Sequence, residues 1–373
     1  MLRRLGPPLA AFALARALLA AGAVSAGLDP FDPRIFVRWD SGHYLGIAEI
    51  GYDLEPCKEE SGYANGLWCG NAGWFPGYPW MIRFMSLSGL RPAASGALLS
   101  ALCNVACLAL LWNAFLGAAW NGPNAACLAM AAFFPGQVYH HAVFPVSMLT
   151  LCVLLALHFT EKGRPLAAGL AGAAAAVTYP TGVVLAPVLL VGSLLGGAGP
   201  RGRRWRSALR APSLAVLGLA AVPIAQWAAL GDPGAFLKVQ DKYGHGWNWP
   251  IATLRRHVKP LVDGEWRWTS DVPALQSAFV ALFVLAVAFR VIAAMRRRRA
   301  EPQDVLLIAF TLAFWLFPLV LGASVSACRA EAILLPSAVL LRRLPAALQA
   351  AAAAASVALA YPIALLFYYR VLV

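Results

Sequence analysis

Trp74-Phe75-Pro76-Gly77-Tyr78-Pro79-Trp80-Met81-Ile82-Arg83-Phe84-Met85-Ser86-Leu87-Ser88-Gly89-Leu90 decides the topology of this chain. The stretch is rich in aromatics, yet it carries two prolines and an arginine. Working outward, apolar runs stand at 5–27, 93–119, 124–142, 143–160, 165–178, 181–199, 207–230, 273–294, 304–322, 331–342 and 346–368. If 74–90 does not cross, Glu161–Arg164, Arg201–Arg210, Arg296–Arg299 and Arg342–Arg343 all fall on the side of the N-terminal Arg3 and Arg4. If it crosses, all of them move to the opposite side. Basic ends mark the cytoplasmic side of a membrane protein, so the non-crossing reading is preferred and 74–90 becomes an interfacial helix.

The composition agrees. The 373 residues are 60% hydrophobic and 13% charged, against about 25% charged in a soluble domain. A chain this apolar must satisfy its backbone within lipid, and no alternating strands suggest a barrel. Soluble enzymes, disordered chains and disulfide-rich secreted modules are therefore excluded. The expected architecture is an all-α polytopic membrane protein, one domain over 1–373, with about 11 transmembrane elements. Two loops, 28–92 and 231–272, lie outside. Residues 5–27 are read as a retained helix, although Val24-Ser25-Ala26 would also suit a signal-peptide cleavage site.

The net charge of +13 raises the possibility of nucleic-acid binding, but its position argues otherwise. Arg3 and Arg4, five arginines between 201 and 210, Arg296 to Arg299, and Arg342 with Arg343 hold the whole excess. The other seventeen basic residues match the seventeen acids. Each cluster adjoins an apolar run, so the partner is membrane lipid and not nucleic acid.

The polar chemistry lies outside. Arg38-Trp39-Asp40-Ser41-Gly42-His43-Tyr44 opens a segment that, as a helix over about 39–50, places Asp40, His43, Tyr44 and Ile47 on one face, with Gly51 as a stop. Asp40 is read either as a general base or as a helix N-cap. In loop 231–272, Lys238, Gln240, Lys242, His245, Arg255 and Arg256 alternate with Trp247, Trp249, Trp266 and Trp268. That mixture suits a phosphate and a sugar near a bilayer, or an ordinary aromatic belt. Arg329 sits at the mouth of the bundle, able to hold a phosphate or to pair with Glu331. Cys57 and Cys69, twelve apart in an extracytosolic loop, suit a disulfide or two free thiols. No ligand cluster indicates a metal, though a divalent ion would be compatible. There is no P-loop, zinc-protease motif or nucleophile elbow.

The order of these pieces resembles a known family. Trp39-Asp40-Ser41-Gly42-His43-Tyr44 … Ile47-Ala48 … Gly51-Tyr52, followed by Phe75-Pro76-Gly77-Tyr78-Pro79, resembles the first luminal loop of the GPI mannosyltransferase II (PIG-V) family, in the GT-C glycosyltransferase superfamily. Weaker matches follow at Phe134-Pro135 … Tyr139, Thr178 … Gly182, Gln240 … Trp247 and Ser326 … Arg329 … Pro336.

The resemblance implies a GT-C-like bundle and a polyprenyl-phosphate mannose donor. It also implies transfer with inversion to a hydroxyl of a glycan, lipid or protein acceptor. It assigns Asp40 the catalytic position and Arg329 a place near the donor. Gln240 and Trp247 fall on a loop framing the pocket; Trp39, His43, Tyr44, Lys242 and His245 complete the candidate substrate-binding set. Three departures stand out. Val143-Phe144-Pro145-Val146-Ser147 lacks the carboxylate of the family's Tyr-Ser-Glu, Tyr179 follows Thr178 where arginine is common, and Ala330 follows Arg329 where tyrosine is common. The Ala, Arg, Gly and Pro bias of a GC-rich bacterial genome implies a bacterial plasma membrane protein with an extracytosolic site. The alternative function is a non-catalytic polyisoprenoid or lipid transporter of flippase type.

Overall fold

The computed structural model describes residues 2–58, 62–63, 66–196, 208–244, 246–322 and 327–372. His245, the whole arginine run 201–206 and Ser326 lie outside the described residues.

The chain opens with α1 (Leu2–Ser25), an apolar helix broken by no acid. A short 3₁₀ turn at Pro33–Phe36 follows, its start closed by the Asp32 carboxylate accepting from the Arg34 amide. Helix α2 (Ser41–Glu49) buries Tyr44, Ile47 and Ala48 and leaves Glu49 exposed, as spacing of three and four requires. A two-stranded hairpin, β1 (Leu54–Pro56) against β2 (Trp68–Gly70), is the one departure from an all-helical fold among the described residues. A Cys57–Cys69 disulfide closes it.

Helix α3 (Gly77–Ser86) occupies the deciding stretch. Its ten residues cover about 15 Å at ~1.5 Å per residue, half a bilayer core. It buries Tyr78 and Ile82 and exposes Trp80 and Phe84, so it is an amphipathic helix too short to cross.

The bundle proper follows: α4 (Pro92–Leu110) with a π turn at Leu111–Phe115, α5 (Gly122–Ala132), α6 (Val146–Glu161), α7 (Pro165–Thr178) and α8 (Leu185–Gly196). Next come α9 (Arg210–Leu219) and α10 (Ala221–Leu230), the loop helices α11 (Ala235–Asp241) and α12 (Pro250–Val258), and α13 (Trp268–Arg296). Helices α14 (Pro302–Val320), α15 (Ala327–Ala332) and α16 (Ala346–Tyr368) complete it. Close packing relies on small residues: a Cβ on Gly172 of α7 would stand 2.8 Å from the Ala215 Cβ of α9.

Six described spans have the length and apolarity to cross a membrane: Arg3–Ser25, Pro92–Phe115, Arg210–Leu230, Trp268–Arg296, Pro302–Val320 and Ala346–Tyr368. Three shorter apolar helices join them, at Val146–Glu161, Pro165–Thr178 and Pro180–Leu195. The expected runs 124–142 and 331–342 fold otherwise. The first is helical only to Ala132, because Pro135 and the left-handed Gly136 (φ 77°) break the helix. The second is a 3₁₀ segment at Leu335–Arg343 with Pro336 in its first turn. Both are buried almost throughout, which is how irregular backbone is tolerated at membrane depth.

Candidate active site

Asp40 occupies the N-cap position of α2, yet its side chain makes no capping hydrogen bond. The capping alternative is thereby set aside, for a local reason. The Ser41 and Gly42 amides are taken by the carbonyls of Arg38 and Trp39, and the His43 amide by the Asp40 carbonyl. The first turn needs no side-chain acceptor, and the carboxylate is left for other work. Trp39 enters this turn in the left-handed region, at φ 49°. A bulky residue there is strained, and such strain gathers at functional sites.

The carboxylate instead meets Arg329, 289 positions away in sequence. Oδ2 of Asp40 accepts from Nη1 of Arg329, and the ion pair sits with side chains 21% and 9% exposed. Arg329 therefore pairs with Asp40; Glu331 turns elsewhere and accepts from Gln276 Nε2 at 2.8 Å. Helix α15, only six residues long, brings Arg329 inward from a bundle edge.

The well around the pair is aromatic. The guanidinium lies 5.4 Å from the Phe144 ring centroid. Tyr44, Tyr139 and Tyr179 lie within its electrostatic reach, and Tyr44, Tyr139 and Phe144 are fully buried. Burial opposes the charge on Arg329, but these phenols and the Asp40 carboxylate outweigh it and raise its pKa. For Asp40, burial pushes the pKa up. The Arg329 charge, its hydrogen bond and a hydrogen bond from Trp74 prevail, and Asp40 is held below the usual carboxylate range. His43 stacks on Trp74 at 3.5 Å and 12°. Its burial lowers its pKa against the opposing pull of Asp40.

Loop 231–272 closes one side. Gln240 on α11 donates from Nε2 to the Gly73 carbonyl at 3.0 Å. Gly73 must stay small, because a Cβ there would meet Val239 Cγ1 at 2.7 Å. Lys242 lies over the rings of Tyr63 and Tyr243 at 5.0 and 5.1 Å and contacts the Cys69 sulfur at 3.9 Å. Trp247 is 75% exposed and Trp39 is 43% exposed. Trp247 thus stands at the surface, as the aromatic-belt alternative describes. Residue-type reasoning missed Tyr139, Tyr179, Phe144 and Trp74 as members of the site. Two of them, Phe144 and Tyr179, are where the sequence departs from the family it resembles.

Among the described residues no group of three His, Cys, Asp or Glu side chains is placed to hold a metal ion. Chemically, the arrangement offers a single carboxylate able to accept a proton, a guanidinium able to bind an oxyanion, and flat rings beside both.

No protein-family model matches the chain, and no curated protein matches it by sequence. Its fold does have solved counterparts. The oligosaccharyltransferase of Archaeoglobus fulgidus in its apo form superimposes with a TM-score of 0.53 at 12% identity, covering 97% of this chain and 56% of that one. The same enzyme tethered to an acceptor peptide containing the NVT sequon gives 0.51 at 11% identity, covering 98% and 55%. The likeness is one of fold. These neighbours are glycosyltransferases of the GT-C type, and the present chain spans about half their length. With its apolar helices, the chain is a multi-pass membrane protein that shares the fold of these neighbours.

Proposed function

We propose that this protein is a membrane glycosyltransferase that moves a sugar from a polyprenyl-phosphate donor to an acceptor hydroxyl, with Asp40 as general base. Mannose is the favoured sugar, on the resemblance of the Trp39–Tyr52 segment to the GPI mannosyltransferase II family. The bacterial plasma membrane is the proposed location, with the site on the extracytosolic face. The observation that carries the reading is the Asp40–Arg329 pair: a carboxylate relieved of capping duty and held against one arginine in an aromatic well.

The chemistry follows from that pairing. Asp40 takes the proton of the acceptor hydroxyl, whose oxygen attacks the anomeric carbon from the face opposite the phosphate. The bond between that carbon and the phosphate oxygen breaks, and its electrons leave on the polyprenyl phosphate. The configuration at the carbon inverts. Arg329 is placed to receive the growing negative charge on the phosphate. While it also pairs with Asp40 it makes that carboxylate a weak base. An incoming phosphate that draws Arg329 away raises the basicity of Asp40 when the acceptor is present. The ring faces of Trp74 and His43 suit the apolar face of a sugar.

The test supplies the purified full chain with radiolabelled polyprenyl-phosphate mannose and a cell-envelope lipid extract. Asp40→Asn is expected to lower label transfer at least 100-fold, the scale of a lost general base, while the protein remains folded. Equal transfer by both proteins removes Asp40 from its role. Transfer by neither, across several sugar donors, favours a lipid carrier.

A further inference from the structure

Arg16 is the one charged residue in the middle of α1, nine residues before Ser25. That places its Cα roughly 13 Å inward of the end of the helix. An arginine at such depth marks a functional site unless the protein neutralises it. Here no acid does so among the described residues. The guanidinium lies 4.2 Å above the Phe36 ring, with Tyr368 and His141 within its electrostatic reach.

Two further arginines share its surroundings. Arg38 gives Nη1 to the carbonyls of Arg34 and Val37 at 3.1 and 2.8 Å, and its buried Nε has no partner. Arg370 follows α16 in a left-handed turn at φ 60° and acts electrostatically on Arg38. Tyr368 ties the group together. Its edge meets Phe36 at 6.3 Å, its hydroxyl donates to the Leu19 carbonyl at 3.1 Å, and it feels both Arg16 and Arg38. The nearby acids are already taken, Asp32 by Arg34 and Asp40 by Arg329.

We propose that Arg16, Arg38 and Arg370 form a second anion site, which binds the phosphate of a membrane lipid. Three like charges gathered beside the Phe36–Tyr368 ring pair need a counter-ion. Guanidinium groups match phosphate geometry, and only a lipid-borne phosphate reaches an arginine set inside a membrane helix. A phospholipid and a polyprenyl phosphate share that chemistry. The site is independent of the transferase reading, because it requires neither sugar nor catalysis.

The experiment reconstitutes the full chain in nanodiscs of phosphatidylcholine alone, with added phosphatidylglycerol, or with added polyprenyl phosphate. Retained lipids are counted by native mass spectrometry. The wild type is expected to keep one anionic lipid, and the arm in which it does so names the source. Arg16→Gln and Arg38→Gln should each lower that occupancy at least tenfold. Arg16→Lys should keep part of it, and Arg34→Gln, an arginine already paired, should keep all. Unchanged retention in both glutamine variants overturns the site, as does a wild type that keeps no anionic lipid in either arm. Folding is checked in phosphatidylcholine alone, where Arg16→Gln should melt at or above the wild type. A variant that melts well below it shows Arg16 to be satisfied by the protein, which also overturns the proposal.

Discussion

Asp304 and Asp40 both meet arginines, and they do so differently. Asp304, near the start of α14, is 2% exposed and is bound by Arg342 at 3.2 Å and by Arg343. Arg343 also holds Glu301 at 2.8 Å. Arg342 donates to Gln303 at 2.5 Å, and Gln303 in turn reaches Glu161 at 3.2 Å. Every charge there has several partners, and the network ties α14 to the 3₁₀ segment that precedes α16. Asp40 has one arginine and one indole, stays 21% exposed, and faces rings in place of counter-charges. A pair shared among several charged partners braces a fold. A pair set beside rings and partly open to solvent can be taken apart by a ligand and re-formed.

The comparison breaks most sharply on exchanged substitutions. Asp40→Asn should abolish transfer with modest loss of stability, as the label assay above reads. Asp304→Asn should do the reverse. It leaves two arginines short of a buried partner, a change that costs about 3–5 kcal/mol, while transfer per folded molecule stays near that of the wild type. Thermal unfolding beside the transfer assay separates the two. Similar stability losses with similar activity losses would erase the distinction.

A smaller effect concerns the hairpin that supports the Asp40 side. Cys57 and Cys69 close a loop of twelve residues, and disulfides over such loops contribute about 3 kcal/mol. Asp53 and Asn71 reinforce the same turn, each taking the other's amide on its side-chain oxygen at 2.9 Å. Replacing both cysteines by serine should therefore raise amide exchange across 54–70 and leave the Asp304 region unchanged. Exchange that rises equally in both regions would mean that the loop and the bundle unfold as one unit.

How much of this was legible follows from where the information lay. The long apolar runs at 5–27, 273–294 and 346–368 become long helices because length and hydropathy are local properties. The segment 74–90 could be placed from the charges of distant loops alone. The runs 124–142 and 331–342 were overread as spans, since their prolines and Gly136 weigh more than their hydropathy. Asp40 and Arg329 were each visible as unusual residues beside a membrane. Their pairing was not, because nothing in sequence joins positions 289 apart. Nor could residue type reveal Tyr139 or Phe144, which look like core aromatics until α15 delivers an arginine among them. Gln240 does meet the first loop, through Gly73, whereas the aromatic stretch 246–249 leaves Trp247 and Trp249 at the surface.

The smallest effect is the most discriminating about the site itself. Two groups flank Trp74, and their shifts give stability slopes in separate pH windows. Asp40 is held below its unfolded value of about 3.9. Its contribution is therefore present above about pH 4 and lost only as pH falls through the lower folded value. His43 is also lowered, by burial, from about 6.5. The unfolded chain then binds its proton first, so stability declines as pH drops below about 6.5 and levels off beneath the folded value. Melting curves from pH 8 to pH 3 should show both slopes in the wild type. His43→Gln should reduce the upper slope and keep the lower, and Asp40→Asn should reduce the lower. Asp40→Asn should also shift the upper one in a definite direction. Without the Asp40 charge, the largest pull against the burial of His43 is gone, so its pKa falls further and the decline extends to lower pH. An upper window unmoved by Asp40→Asn would mean that the imidazole and the carboxylate do not act on each other, and the single-arginine well would then have to be rebuilt without His43.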